Sequence, residues 1–157
     1  MRTLAVAASL LLAACEAQPV SNAAAVEAPS KAPSGLDLAT LTVESGDRRH
    51  VFTVEMARTE PQQAQGLMNR RALAPDAGML FPFDPPRPAS FWMRNTLIPL
   101  DLIFIRPDGT IARVATGVPL SEAPIEVGEP LTAVLEIPGG RAAQLRIGVG
   151  DRVSWSD

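Results

Sequence analysis

The feature that most constrains this fold is the apolar run Leu100–Ile105, which only Asp101 interrupts. A strand that is apolar at consecutive positions is expected to be buried on both faces. Just before it, residues 91–93 predict a short strand and residues 94–96 a polar turn. A charged residue at the border of a buried region needs a partner. The stretch 90–105 therefore predicts a core that carries a polar site.

Turn residues divide the rest of the chain into short segments. Ser45-Gly46-Asp47 predicts a first β-hairpin within residues 41–54, and Pro107-Asp108-Gly109 predicts a second one after residue 105. Pro82 suits a strand edge or a bulge, because proline cannot donate to a neighbouring strand. Short strands with frequent turns indicate a mostly β domain, α+β at most, shaped as a small β-barrel or sandwich.

Helices are expected to be few and short. Thr59 and Gln62 have the spacing of a capping box, and Gly66 is expected to end that helix. Residues 141–145 predict one further helical turn. Residues 131–137 and 152–155 predict the last two strands.

The N-terminus has the pattern of a bacterial lipoprotein signal. Arg2 precedes an apolar segment, residues 4–14, which is too short to span a bilayer and ends in Leu-Ala-Ala before Cys15. We predict that Cys15 carries lipid. The alternative is an ordinary secretory peptide with an incidental cysteine.

Three segments follow from this interpretation. They are a signal peptide over residues 1–15, a flexible Ala/Pro/Ser-rich tether over residues 16–36 and a single β-rich domain over residues 37–157. The predicted location is the cell envelope, with the domain facing the periplasm. Glu16, where an Asp would favour retention in the inner membrane, favours an outer-membrane anchor.

Composition excludes several classes of function. The net charge of −3 argues against a nucleic-acid partner. Cys15 is the only cysteine, so no disulfide can form within the chain, and no Cys/His cluster predicts zinc. His50, the only histidine, adjoins Arg48 and Arg49 and is expected to be solvated. No cofactor is predicted.

Several segments resemble the motifs of the domain of unknown function 192 family. They are Gly-Leu-Met-Asn-Arg at 66–70, Gly-Met-Leu-Phe-Pro-Phe at 78–83 and Phe-Trp-Met-Arg-Asn-Thr-Leu-Ile-Pro-Leu-Asp at 91–101, with shorter matches at 108–111, 134–140 and 150–151. The likeness covers nearly all of residues 40–155. It implies a compact, mostly β domain that is often exported or membrane-tethered, and it implies no biochemical activity. The family often has Lys at the position of Arg94.

The polar residues of these motifs predict a binding site. The predicted set comprises Arg70, Phe91, Trp92, Arg94, Asn95, Thr96, Asp101 and Glu136. In this hypothesis Arg94 engages a small polar or anionic ligand and Asp101 or Glu136 pairs with Arg94, while the aromatic residues form an apolar wall. The alternative is a buried polar network that only fixes the turn.

Three other functions remain open from the sequence. Asp101 and Glu136 could form the carboxylate pair of a hydrolase if the fold brings them within about 5–10 Å. Thioether ligands suit Cu(I), so Met68, Met79 and Met93 could bind it, although methionine also fills cores. The proline-rich segment 84–88 could contact an envelope protein, or it could be a simple connector.

Overall fold

A computed structural model describes residues 31–156 of the chain. Of these residues 48% lie in strands and 9% in helices, which confirms the predicted mostly β class. The elements within this range are β1 (Leu38–Ser45), β2 (Arg48–Met56), α1 (Glu60–Gln65), β3 (Ala77–Arg87), β4 (Ser90–Phe91), β5 (Leu100–Ile105), β6 (Ile111–Gly117), β7 (Ile125–Glu126), β8 (Leu131–Pro138), α2 (Arg141–Leu145) and β9 (Arg152–Ser156).

The predicted signal peptide, Cys15 and most of the predicted tether lie outside the described residues. Within residues 31–156, no helix is both long and apolar enough to cross a membrane. Residues 31–36, which the sequence places in the tether, contact the domain. Ala32 is buried, and the Ser34 hydroxyl donates a hydrogen bond to Glu55.

Seven strands form one sheet in the order β6-β5-β8-β3-β2-β1-β9, and β4 pairs with β7 separately. Neighbouring strands are antiparallel except for β2 and β3, which run parallel. The edge strands β6 and β9 meet at one bridge, between Thr110 and Arg152, which backbone hydrogen bonds between residues 109–111 and 150–153 support. The sheet is nevertheless not closed into the predicted barrel.

The sheet has a hydrophobic core on each face. All six residues of β5 are buried, as predicted for the run Leu100–Ile105. Ile103 and Ile105 point to the first core, with Val54 and Leu135 among its members. Leu102 and Phe104 point to the second core, which is composed of Ala57, Leu67, Met79, Phe81, Phe83, Ala89, Met93, Leu100, Leu102, Phe104, Leu131 and Val134. Two-sided burial explains why β5 does not alternate apolar with polar residues.

Helix α1 forms as its sequence predicts. The Thr59 side chain accepts a hydrogen bond from the Gln62 backbone N–H, and the Gln62 side chain accepts one from the Thr59 backbone N–H. These reciprocal bonds satisfy two donors that a helix start leaves free. Gly66 ends the helix with φ of 47°, a conformation that favours glycine. The helix lies over the second core, where Leu67 is buried.

Strand β3 extends further than the sequence predicts. Residues 84–87, which the prolines indicate as a loop, continue the strand to Arg87. Beyond Leu80 the parallel neighbour β2 has ended, so Pro82 lies at a free edge and needs no N–H on that side, as predicted. The pairing with β8 shifts register between Pro82 and Arg87.

Gly78 marks the closest approach of β3 to β8, and we expect Gly78→Ala to destabilise the domain by roughly 1–3 kcal/mol. A Cβ at Gly78 would lie 2.6 Å from the backbone oxygen of Glu136, and backbone cannot rotate away as a side chain can. Gly128→Ala is the matched control, since nothing lies within 4 Å of its Cβ position. Urea unfolding measures both, and equal effects of the two changes would contradict the prediction.

Candidate functional site

A cavity of about 250 Å³ lies between α1, β3 and the segment 89–96. Its lining residues are Gln63, Ala64, Gln65, Gly66, Leu67, Met68, Phe81, Phe83, Arg87, Ala89, Ser90, Phe91, Trp92, Thr96 and Glu136. The cavity therefore includes four of the eight residues that the sequence assigned to the binding site, namely Phe91, Trp92, Thr96 and Glu136. A concave site with apolar walls and a few polar groups is typical of small-ligand binding.

Aromatic rings form most of the apolar wall. Phe81, Phe83, Phe91 and Trp92 line the cavity and are four of the seven aromatic residues in the chain. Phe91 holds the wall together by edge-to-face contacts with Phe81 at 5.1 Å and with Phe104 at 6.2 Å between ring centroids. Such contacts fix ring positions and add stability beyond the buried area. The wall is thus built on the second core rather than on a mobile loop.

Glu136 is the polar group of greatest interest in the cavity. It lies in the middle of β8, opposite Met79 of β3 and Leu102 of β5, and only 5% of it is exposed. Desolvation by burial raises the pKa of the Glu136 carboxyl from 4.5 to about 8. The carboxyl makes no hydrogen bond or ion pair with any residue in the range 31–156. Among residues 31–156, the fully buried side-chain polar atoms without a partner are Arg48 Nε and His50 Nε2, so the Glu136 oxygens reach the space of the cavity.

Two residues that the sequence did not assign to a site border the same cavity. The Gln63 amide donates to the backbone oxygens of Ala57 and Pro82, each at 3.1 Å, and so fixes α1 against β3. The exposed Arg87 guanidinium donates to Gln63 Oε1 at 3.3 Å and lies 4.3 Å from the centre of the Phe83 ring. Arg87 was missed because the prolines around it indicate a connector.

Arg94 does not make the contacts that the sequence predicts. Its guanidinium pairs with the exposed Glu122 at 3.2 Å and lies 4.8 Å from the centre of the Trp92 ring. The predicted pairing of Arg94 with Asp101 or Glu136 is wrong, because both carboxyls are buried while the Arg94 side chain is half exposed. Arg94 does not line the cavity, but it contacts the ring of Trp92, which does.

Asp101 has a structural role on the opposite face of the sheet. Its carboxylate accepts a hydrogen bond from the Thr116 hydroxyl at 2.7 Å and one from the Ala142 backbone N–H at 2.9 Å. The second bond satisfies a free donor at the start of α2. Because Glu136 is opposite Leu102, and neighbouring residues of a strand point to opposite faces, Asp101 and Glu136 lie on different sides of the sheet. The predicted carboxylate pair does not form.

Asn95 and Thr96 shape the turn that carries Trp92. Asn95 adopts φ of 55°, and its backbone oxygen accepts from the Asn69 N–H at 2.8 Å. Thr96 is buried, and its hydroxyl donates to the Arg94 backbone oxygen at 3.3 Å. The turn is thus fixed largely by its own polar contacts, and of the two residues Thr96 alone lines the cavity.

Arg70 lies outside this cavity, where it pairs with Glu55 at 2.7 Å. The same Glu55 oxygen, Oε2, also accepts a hydrogen bond from the Ser34 hydroxyl. The predicted partnership of Arg70 with the Arg94 turn is therefore not observed. Arg70 instead links the segment after α1 to strand β2.

The methionines of the Cu(I) hypothesis occupy different environments. Met79 and Met93 are buried in the second core, whereas Met68 is partly exposed and accepts a 3.9 Å contact from the Asn95 amide. Core packing accounts for the first two. Among residues 31–156, no group of three or more His, Cys, Asp or Glu residues is placed to hold a metal ion. Copper binding stays a prediction.

The fold and the cavity together define a class: a single small β domain that carries an aromatic cavity with one buried carboxyl. A family model matches residues 41–155, and the chain belongs to the uncharacterized ACR family, DUF192. This confirms the family resemblance that the motifs indicate. No curated protein matches the chain.

Two of the solved structures that are similar to this chain come from bacteria. One is a protein of unknown function from Novosphingobium aromaticivorans, with 48% identity, a TM-score of 0.79 and coverage of 83% of this chain and 94% of that one. The other is a candidate transcription regulator from Sinorhizobium meliloti, with 43% identity, a TM-score of 0.74 and coverage of 76% and 95%. The family and its neighbours thus give a fold without an activity.

Proposed function

We propose that this domain binds a small polar ligand, without catalysis, in the cavity between α1 and β3. The observation that carries the proposal is the Glu136 carboxyl, which is buried, faces the cavity and has no partner among the described residues. Its oxygens open on the cavity, where a ligand can contact them. A ligand that hydrogen-bonds to Glu136 would supply the partner that residues 31–156 do not supply.

Binding fits the lining better than catalysis does. Arg87 and Glu136 are the two charged side chains that line the cavity, and Asp101 is on the far face of the sheet. A hydrolase would need a second acid, base or nucleophile beside Glu136. The lining supplies one buried carboxyl, aromatic walls, the hydroxyls of Ser90 and Thr96, and one exposed cation, with no histidine or second carboxylate to activate a hydroxyl.

Arg87 takes the role that the sequence hypothesis gave to Arg94. It lines the cavity, and one guanidinium nitrogen is held by Gln63 Oε1 while the others remain available to a polar or anionic group of the ligand. An anionic ligand in contact with Glu136 is disfavoured, because like charges at close range repel. The proposed ligand therefore presents its polar end to Glu136 and any acidic group to Arg87.

The test is a fragment-binding screen of the full-length chain by ligand-observed NMR, with a variant that blocks the cavity. Ala64 is an exposed α1 residue that lines the cavity, so Ala64→Trp is expected to abolish binding of the hits. Ala143→Trp is the matched control, since Ala143 is an exposed alanine of α2 and does not line the cavity. We expect the control to retain full affinity.

Further variants separate the two arginines. Arg87→Ala is expected to weaken binding of acidic hits about tenfold, which corresponds to one charge-assisted hydrogen bond. Arg94→Ala is expected to change affinity little, because the Arg94 side chain contacts Glu122 and Trp92 and does not line the cavity. Hits that bind equally well to Ala64→Trp would contradict the proposed site.

A further inference from the structure

Glu136 restricts what can occupy the inner end of the cavity. As a neutral acid it offers one O–H donor, and as a carboxylate it offers acceptors alone. The Gln63 amide nitrogen is already bonded to two backbone oxygens and cannot turn to Glu136. Thr96 uses its hydroxyl hydrogen on the Arg94 backbone oxygen. Neither of these two donors is therefore free to bond to Glu136. The other side-chain donors of the lining, on Gln65, Arg87, Ser90 and Trp92, make no hydrogen bond to Glu136.

The aromatic wall suits a positive charge. The faces of Phe83 and Trp92 each carry a guanidinium group of the protein itself, at 4.3 Å and 4.8 Å from the ring centres. Aromatic rings attract cations through the negative potential of their faces. Phe81 and Phe91 line the same cavity and contact each other edge to face. A ring surface next to a carboxyl is the chemistry that recognises organic ammonium groups.

The charges around Glu136 permit this occupant. Strand β5 presents the apolar Leu102 to Glu136, and α1 lines the cavity with neutral residues. On the other side of Glu136, Met79 of β3 is its neighbour, and Glu55 of β2 is the neighbour of Met79. The negative charge of Glu55 is paired with Arg70. Arg87 is the one positive group of the lining, and it lies exposed at the mouth, where water screens its charge.

We infer that the ligand is a small organic cation, with its ammonium N–H groups donating to Glu136 and its apolar body against the aromatic wall. This inference rests on the proposed function and adds the chemical class of the ligand. As the cation enters, the Glu136 O–H bond breaks and its proton passes to water, so the complex holds one positive and one negative charge. Binding is therefore coupled to the release of one proton.

Three probes of one shape and different charge test the inference with the full-length chain. Benzylamine is positive, benzyl alcohol neutral and benzoate negative. Because the folded-state pKa of Glu136 is about 8, only about 1% of the carboxyl is ionised at pH 6 and half at pH 8. An alkyl ammonium stays protonated through this range. We expect benzylamine to bind about 50-fold more tightly at pH 8 than at pH 6.

The measurement is isothermal titration calorimetry in buffers of different ionisation enthalpy, which counts the released proton. Glu136→Gln is expected to lose benzylamine binding and its pH dependence, while Glu126→Gln, at an exposed β7 position, retains both. Tighter binding of benzyl alcohol or benzoate than of benzylamine would overturn the cation and leave the proposed function standing. Absence of benzylamine binding at millimolar concentration would also overturn the cation inference. The proposed function has a separate test: it fails only if the fragment screen finds no ligand whose binding is lost in Ala64→Trp.

Discussion

Replacing Glu136 by glutamine is expected to stabilise the domain, and by more at high pH than at low pH. Below about pH 4.5 the carboxyl is protonated in both the folded and the unfolded state, so folding is not penalised. Between pH 4.5 and about 8 the unfolded chain ionises while the folded chain keeps its proton, so stability falls by up to about 1.4 kcal/mol per pH unit. The loss is complete above pH 8, at roughly 5 kcal/mol.

Glutamine has the shape of the protonated acid and does not ionise. We therefore expect Glu136→Gln to gain about 3 kcal/mol over the natural chain at pH 7, and less than 1 kcal/mol at pH 5. Urea unfolding of the full-length chain at pH 5, 7 and 8.5 measures the difference. The exposed Glu126→Gln should change stability by less than about 0.5 kcal/mol at every pH. A destabilised Glu136→Gln at all three pH values would show that the carboxyl has a donor in the folded state.

Replacing Asp101 by alanine is expected to destabilise the domain by about 2–4 kcal/mol, because the change leaves the Ala142 N–H and the Thr116 hydroxyl without their acceptor. Asp101→Asn is expected to cost less than half of this. Its amide oxygen can accept from the Ala142 N–H while its NH₂ group donates to the Thr116 hydroxyl. The comparison thus separates loss of hydrogen bonds from loss of charge.

Two measurements check this prediction for Asp101. Urea unfolding gives the stability, and hydrogen exchange gives the protection of the Ala142 amide, which should fall in Asp101→Ala. Thr116→Val is the intermediate control, since it removes one of the two bonds and leaves the helix cap in place. An Asp101→Ala chain with natural stability and an equally protected Ala142 amide would show that this carboxylate does not hold α2.

Local patterns predicted much of this fold correctly. The apolar run of β5 predicted burial on both faces, and the spacing of Thr59 and Gln62 predicted a capped helix. In both cases the stabilising pattern lies within one short segment, so it can be recognised in the sequence alone. The edge position of Pro82 was also predicted correctly. Proline lacks the N–H that a strand paired on both sides would use, whatever the position of β3 in the sheet.

The candidate site was less predictable because it depends on strand pairing. Asp101 and Glu136 belong to adjacent strands, and a register different by one residue would bring them to the same face. Nothing in either strand alone specifies this register. Arg87 and Gln63 were missed for a related reason, since their contact joins residues that are 24 positions apart in the chain. The predicted set therefore shares Phe91, Trp92, Thr96 and Glu136 with the cavity lining, but it lacks the other two rings of the wall and the polar contacts of Gln63 and Arg87.

The position of β8 in the sheet has a kinetic consequence. This strand lies between β3 and β5, so during synthesis β1, β2 and β3 on one side and β5 and β6 on the other have no common partner until residues 131–138 appear. Until then β3 and β5 each present an unpaired apolar edge, and such edges favour non-native strand pairing and aggregation. Pairings as distant as Leu80 with Leu135 also make folding slow, on the order of milliseconds to seconds. The strand that carries Glu136 is thus also the strand that joins the two halves of the nascent sheet, before β9 adds its edge.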